Sequence, residues 1–225
     1  MKDLIQIAGI VDKEEAALMM ELGVDYLGFP LRLPVNKEDT TEEEAAEIIK
    51  TIVHPHQPVL ITYLDKAEEI IAFCDKLNVK IVQLHGAISF DELVRTKTLR
   101  DDIYIIKSLV VAADNYDRLA DMVKAFSQYV DAFITDTFDP ATGAEGATGK
   151  THDWNISRKL VELSSKPVII AGGLNPKNVK KAILEIKPAG VDVHTGIELP
   201  NGRKSVELTK VFINEAKEGF YSITK

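Results

Sequence analysis

Short apolar runs alternate with segments of helical period along the whole chain. Eight of these runs are almost continuously apolar rather than alternating, which is typical of parallel strands that are covered on both faces. A spacing of roughly 26 residues between runs leaves room for one helix after each strand. The predicted strands are Leu4–Ala8, Tyr26–Phe29, Val59–Tyr63, Ile81–Leu84, Ile103–Lys107, Ala132–Asp136, Val168–Ala171 and Gly190–Val193.

Helix-start signals lie between several of these runs. Asp12-x-x-Glu15 and Thr41-x-x-Glu44 have the spacing of capping boxes, and Gly23 follows the first of them at the distance of a helix end. Asn175-Pro176 places a capping residue before a proline at the first helical position. Each predicted strand is therefore followed by a predicted helix.

Eight strand–helix units without a linker or low-complexity segment favour a single (β/α)₈ barrel domain spanning residues 1–225. The alternative is a doubly wound open sheet. That fold more often has fewer strands and a glycine-rich turn after the first one, whereas Ala8-Gly9-Ile10 offers one glycine. In a barrel, active sites form where strands end, and phosphate binds after strands seven and eight.

Composition narrows the classes of function. The net charge of −8 disfavours nucleic-acid binding, and no apolar run is long enough to span a membrane. The single cysteine, Cys74, excludes an internal disulfide and a cysteine-cluster metal site, and its apolar neighbours predict the buried face of a helix. The N-terminal run lacks a signal-peptide layout, so we expect a cytoplasmic protein.

Asp136 ends the sixth predicted strand and is the candidate acid. A carboxyl group partly removed from water at a strand end has a raised pKa and can act as a general acid. The alternative is an aspartate that caps a helix or braces a loop. The loop that follows contains Gly143, Gly146 and Gly149, which can wrap a phosphate or can simply be flexible.

Glycines also follow the last two predicted strands. Gly172-Gly173 comes after strand seven and Thr195-Gly196 after strand eight. Glycine lets backbone N–H groups approach phosphate oxygens closely. A tight turn is the alternative for either pair alone, but together they favour a phosphate site.

The histidines offer weaker signals. His85 ends a strand, where a hydrogen-bonded structural role is more common than a catalytic one. His54 and His56 have a spacing that suits a metal, but they lack acidic or cysteine partners nearby, so no metal site is predicted. His152 lies beside the glycine loop and could serve either role.

Four motifs resemble those of the phosphoribosylanthranilate isomerase family. The resemblance covers nearly the whole chain and is carried by the order and spacing of these motifs. They are Gln83-Leu84-His85-Gly86, Gly146 to Trp154, Ala171-Gly172-Gly173-Leu174-Asn175-Pro176, and Gly190 to Glu198.

The resemblance implies a (β/α)₈ barrel that catalyses an Amadori rearrangement in tryptophan biosynthesis without a cofactor. It implies that Asp136 is the acid that opens the sugar ring of a small phosphorylated substrate. It also implies a phosphate cradle after strands six, seven and eight, and a monomer or homodimer. The implied cradle residues are Gly149, Gly172, Gly173, Thr195 and Gly196.

The chain departs from the family pattern at the base. The family has a catalytic cysteine on strand one, and Ala8 stands at that position. Lys37 stands where the family has an arginine that binds the anthranilate carboxylate, which keeps the charge but not the bidentate geometry. His194 replaces a serine after strand eight. Strands one and eight are neighbours in a closed barrel, so we expect His194 to lie near Ala8 as a substitute base, or else to fill that volume or contact phosphate.

Three functions remain open from the sequence. The chain is an isomerase of the tryptophan pathway, a relative acting on another phosphosugar, or a non-catalytic binder that kept the cradle and lost the base. Engineering of Ala8 to trap a substrate is a further alternative, but the additional differences at Gln6, Lys37 and Ala147 favour natural divergence.

Overall fold

A computed structural model describes residues 2–34, 38–139, 144–145 and 151–224. Eight parallel strands form a ring in the order β5-β4-β3-β2-β1-β9-β8-β6, and pairing between β5 and β6 closes it. A ninth strand, β7, pairs antiparallel with the end of β6 outside the barrel. The strands are β1 (Leu4–Ala8), β2 (Tyr26–Pro30), β3 (Gln57–Thr62), β4 (Ile81–Leu84), β5 (Tyr104–Val111), β6 (Ala132–Asp139), β7 (Ala144–Glu145), β8 (Val168–Ile170) and β9 (Gly190–Val193).

A helix follows each barrel strand and covers the outside of the ring. A single 3₁₀ turn, Thr195–Ile197, follows β9 before the last helix. The helices are α1 (Lys13–Glu21), α2 (Glu42–Ile49), α3 (Ala67–Leu77), α4 (Phe90–Leu99), α5 (Tyr116–Phe126), α6 (Trp154–Leu163), α7 (Val179–Ile186) and α8 (Val206–Thr224). The predicted (β/α)₈ barrel is confirmed, and the open-sheet alternative is wrong because β5–β6 pairing leaves no sheet edge. The single-domain assignment stays a prediction.

Two of the helix starts follow the sequence signals. Asp12 accepts a hydrogen bond from the N–H of Glu15 at the start of α1, and Thr41 forms a reciprocal capping box with Glu44 at the start of α2. Both side chains satisfy backbone donors that the first helical turn leaves unpaired.

The predicted start of α7 at Asn175-Pro176 is wrong. Asn178 Oδ1 accepts from the N–H of Asn175, and Asn175 Oδ1 accepts from the N–H of Lys177. These amide side chains close a local turn that replaces the first helical turn, so the helix begins at Val179.

Side chains inside the barrel form their own apolar cluster, separate from the larger core between the strands and the helices. The interior cluster contains Leu4, Ala8, Val59, Ile61, Ile81, Ile106, Ala132, Ile134, Ile169 and Ala171. Polar side chains interrupt this interior at one level: Gln6 Nε2 donates to Gln83 Oε1 at 2.9 Å, and Gln6 is paired in register with Asp192. Side chains therefore fill the interior of the barrel, and open space remains at the carboxyl ends of the strands.

Candidate active site

A cavity of about 350 Å³ opens at the carboxyl ends of the barrel strands. This is the end of the barrel at which active sites of this fold form. It brings together most of the residues that the sequence analysis selected, while Lys37 and Gly149 lie outside the described residues. The selected residues that line it are Ala8, Asp136, Gly172, Gly173, His194, Thr195 and Gly196.

Asp136 lies on β6 with a side chain that is 13% exposed. Burial raises the pKa of its carboxyl group to about 8, and the nearby charge of Asp192 adds to the rise. The N–H of Thr137, which donates to Asp136 Oδ1 at 2.7 Å, acts in the opposite direction and only partly offsets the burial. The carboxyl group is therefore protonated at neutral pH and is equipped to donate a proton.

His85 lies in the cavity wall facing Asp136. Its Nε2 is 4.0 Å from Asp136 Oδ2, and its Nδ1 is 3.1 Å from the hydroxyl of Ser108 on the intervening strand β5. The ring of Tyr63 packs against it at a centroid distance of 4.9 Å. The sequence interpretation favoured a purely structural role; strand order, which puts β4 two places from β6, was the signal that could have paired it with Asp136.

Ala8 ends β1 as a buried methyl group in the cavity wall, and His194 lies beside the next residue, Gly9. A Cβ atom placed on Gly9 would lie 2.2 Å from His194 Nε2. Gly9 has a φ of +76°, so the backbone and the imidazole both require glycine here. The imidazole therefore lies in the same cavity wall as Ala8, against the residue that follows it.

Two carboxylates flank His194, and neither was selected from the sequence. His194 Nε2 is 3.5 Å from Asp39 Oδ2 and 3.2 Å from Glu198 Oε1. Glu198 Oε1 also accepts from Lys204 Nζ at 2.7 Å, and the Lys204 side chain is fully buried. Burial raises the pKa of Asp39, but the hydrogen bond and charge of His194, with the charge of Lys204, outweigh it and hold this pKa below its usual value.

The glycine turns after β8 and β9 pack against one another. Gly172 and Gly173 have φ values of +90° and +65°, which disfavour any residue with a side chain. A Cβ atom on Gly172 would lie 2.1 Å from Thr137 Oγ1, and one on Gly196 would lie 1.9 Å from the carbonyl oxygen of Leu174. These contacts keep two strand exits close together with their backbones exposed to the cavity.

Asp192 forms part of the cavity floor and was also missed. Burial raises the pKa of its carboxyl group to about 6, against the lowering influence of His194, Gln6 and Lys204. Its Oδ1 atom has no hydrogen-bond partner in the described part of the chain. Asp136 and Asp192 are therefore two carboxyl groups lining the cavity whose pKa burial raises, to about 8 and about 6.

The other candidate groups lie outside the cavity. His152 bridges Thr137 and Ser157, and burial lowers its pKa to about 4, so it is a neutral structural residue. Cys74 is buried on α3, as predicted, and burial raises its thiol pKa to about 12. This thiol does not serve as a base at the cavity.

Among the described residues, no group of three or more histidine, cysteine, aspartate or glutamate side chains could hold a metal ion. The helices within those same ranges also include none that is both long and apolar enough to cross a membrane.

Residues 5–215 match the family described as N-(5'-phosphoribosyl)anthranilate (PRA) isomerase. The chain belongs to the PRA isomerase family. Its members are isomerases of the intramolecular oxidoreductase type, and this chain is one of them.

Relatives of known identity align over almost the whole chain. N-(5'-phosphoribosyl)anthranilate isomerase 2 of Methanosarcina mazei is 37% identical over 97% of this chain and 96% of its own length. The crystal structure of monomers of the dimeric Thermotoga maritima enzyme is 27% identical, with a TM-score of 0.80 over 97% of this chain and 100% of that one. A PRA isomerase bound to reduced 1-(o-carboxyphenylamino)-1-deoxyribulose 5-phosphate has a TM-score of 0.79 at 25% identity, again over 97% and 100% of the two chains.

Proposed function

We propose that this PRA isomerase family member catalyses the Amadori rearrangement of phosphoribosylanthranilate in tryptophan biosynthesis, with His194 in place of the family's cysteine. The observation that carries the proposal is the shared cavity, which is lined by the buried carboxyl group of Asp136, whose pKa burial raises, and by His194 beside Gly9. An aldose–ketose rearrangement needs an acid and a base on the two sides of one bound sugar.

The reaction begins at Asp136. Its carboxyl group donates a proton to the ring oxygen of the aminosugar, and the ring opens to an iminium ion. A base then removes the proton from the neighbouring carbon, and the electrons of that C–H bond form the double bond of an enolamine. The enolamine becomes the keto product. In this proposal His194 is the base.

The glycine turns hold the phosphate of the substrate. Gly172, Gly173, Thr195 and Gly196 line the cavity, and the three glycines permit close approach of backbone N–H groups to phosphate oxygens. Gly149 and Lys37 complete the proposed site as further contacts to the phosphate and to the anthranilate carboxylate. We propose that the protein acts in the cytoplasm as a monomer or homodimer.

Replacing Gly172 by alanine is expected to raise KM roughly tenfold to a hundredfold. The added Cβ would collide with Thr137 Oγ1 and displace the backbone N–H from the phosphate, and losing a hydrogen bond to a charged group costs about 1.5–3 kcal/mol. Gly23→Ala is the matched control. Gly23 has a similar φ of +77°, but the nearest atom to an added Cβ is Lys217 Nζ at 3.9 Å. Steady-state kinetics should show a raised KM in the Gly172 variant alone. An unchanged KM in a folded Gly172 variant would remove this turn from the phosphate site.

The activity is expected to decline as pH rises through about 8. Asp136 must be protonated to act as an acid, and its pKa of about 8 sets the point at which the proton is lost. Below that pH the acid is competent, and above it kcat/KM should fall about tenfold per pH unit. A pH–rate profile from pH 6 to 10 measures this limb. A profile that stays flat to pH 10 would exclude Asp136 as the acid.

Genetic complementation tests the function in a cell. The gene should restore growth without tryptophan to a strain that lacks PRA isomerase, and the same gene carrying Asp136→Asn should not. The absence of the family's thiol at Ala8 specifically favours one other function, a phosphate-ligand-binding homologue without turnover. Soluble wild-type protein that fails to restore growth would favour that alternative or a relative acting on another phosphosugar.

A further inference from the structure

The two nitrogen atoms of His194 have different surroundings. Nε2 lies between the carboxylates of Asp39 and Glu198, at 3.5 and 3.2 Å. Nδ1 has no hydrogen-bond partner in the described ranges of the chain. The ring is partly open to the cavity, with a side chain that is 20% exposed.

This difference determines which nitrogen holds a proton when the imidazole is neutral. An ionised carboxylate only accepts hydrogen bonds, so the nitrogen facing it must be the N–H donor. With the proton on Nε2, the lone pair of the neutral ring is on Nδ1. The nitrogen closest to Gly9 is thus not the one that can accept a proton.

The two carboxylates share a buried cationic neighbour, Lys204. Lys204 Nζ donates to Glu198 Oε1 at 2.7 Å, and the complete burial of the lysine side chain makes this pair costly to break. Asp39 comes from the segment before α2, lines the same cavity and lies 3.5 Å from the same imidazole nitrogen. Asp39 precedes α2, and His194 and Glu198 belong to the turn after β9. The carboxylates are placed as the carboxylate of a catalytic triad is, which orients its histidine.

We propose that Asp39 and Glu198 are positioning residues that hold His194 as the Nε2–H tautomer, so that Nδ1 takes the proton from the substrate carbon. The proposal rests on the proposed function. In the step, the C–H proton moves to Nδ1, the C–H electron pair forms the carbon–carbon double bond, and the iminium nitrogen gains the electrons of its double bond. The resulting imidazolium keeps its Nε2–H on the two carboxylates.

Nitrogen-15 NMR of the histidine side chains tests the tautomer directly. His194→Ala identifies the His194 signals by their loss. We expect the neutral form of His194 in the wild-type protein to be Nε2–H, and the Asp39→Asn/Glu198→Gln double variant to lose that preference, because amides can donate as well as accept. Asp121→Asn, at an exposed position on α5, is the control and should leave the signals unchanged. A wild-type Nδ1–H tautomer would overturn the proposal, whether or not the protein turns over phosphoribosylanthranilate.

Kinetics separate positioning from structural support. The double variant should lower kcat by roughly 10²-fold, since a misplaced catalytic group costs about that much, with KM nearly constant. In an Ala8→Cys background a thiol supplies the base, so the position of His194 no longer matters. There the same double substitution should change kcat by less than about threefold, far less than the roughly 10²-fold loss expected without the thiol. Equal losses in both backgrounds would overturn the positioning role. A wild-type protein without any turnover would instead refute the proposed function and leave the NMR result to decide the tautomer.

Discussion

Asp136→Asn is expected to lower kcat by about 10²–10⁴-fold while making the folded protein more stable above neutral pH. Asparagine keeps the size of the side chain and can still accept from the N–H of Thr137, but it has no acidic proton to donate. The loss of rate follows because ring opening then lacks its acid. The gain in stability follows from the buried position of the carboxyl group.

The direction of the stability change comes from the pKa of Asp136. Burial raises it from 3.8 to about 8, so the folded state binds this proton more tightly than the unfolded state does. The resulting stability is fully present below pH 3.8 and is lost as pH rises to about 8. At one pKa unit per about 1.4 kcal/mol, the ionised group costs the wild-type protein a few kcal/mol at pH 9.

Urea unfolding at pH 4, 7 and 9 measures this effect. The wild type and Asp136→Asn should have similar free energies of unfolding at pH 4, and the variant should be the more stable at pH 7 and 9. An enzyme keeps a buried acid that lowers its free energy of unfolding when its activity requires that acid. A variant that is less stable than the wild type at pH 9 would contradict the assignment of Asp136 as a buried acid with a raised pKa.

His194→Ala is expected to lower kcat by about 10²–10⁴-fold, the usual loss when a general base is removed. Ala8→Cys should restore much of the rate in that background, because the Ala8 methyl group points into the cavity and a sulfur atom attached there would enter it. Ala8→Ser is the matched control, since it adds an atom at the same place that is a far weaker base. Turnover that is unchanged in His194→Ala would exclude the histidine as the base.

Alkylation provides an independent readout of the restored activity. The natural thiol, Cys74, is buried and has a pKa of about 12, so it should react slowly with iodoacetamide. Wild-type activity should therefore resist alkylation, whereas the activity that Ala8→Cys restores should be lost. Loss of wild-type activity on alkylation would contradict this expectation, because it would require a role in activity for Cys74, which does not line the cavity.

The barrel could be predicted from the sequence because buried parallel strands leave a strong local signal. Leu4–Ala8, Ile81–Leu84 and Gly190–Val193 match the observed strands at both ends. The start of α7 could not be predicted, because the competing turn of Asn175 and Asn178 depends on two side-chain hydrogen bonds rather than on periodicity.

The candidate site was predictable only where its residues come directly after apolar runs in the sequence. Asp136, His194 and the glycine turns follow apolar runs, so chain position alone indicated them. Asp39 and Glu198 belong to connecting segments without a periodic pattern, and their proximity to His194 arises only once the barrel closes. Their carboxylates, which flank the imidazole, were therefore missed.

The most direct test of the account adds purified wild-type protein to freshly made phosphoribosylanthranilate and follows the loss of its fluorescence. We expect a rate of loss that is proportional to enzyme concentration, that is abolished by Asp136→Asn, and that is measurable although Ala8 offers no thiol. No loss at high concentrations of folded wild-type enzyme would contradict it.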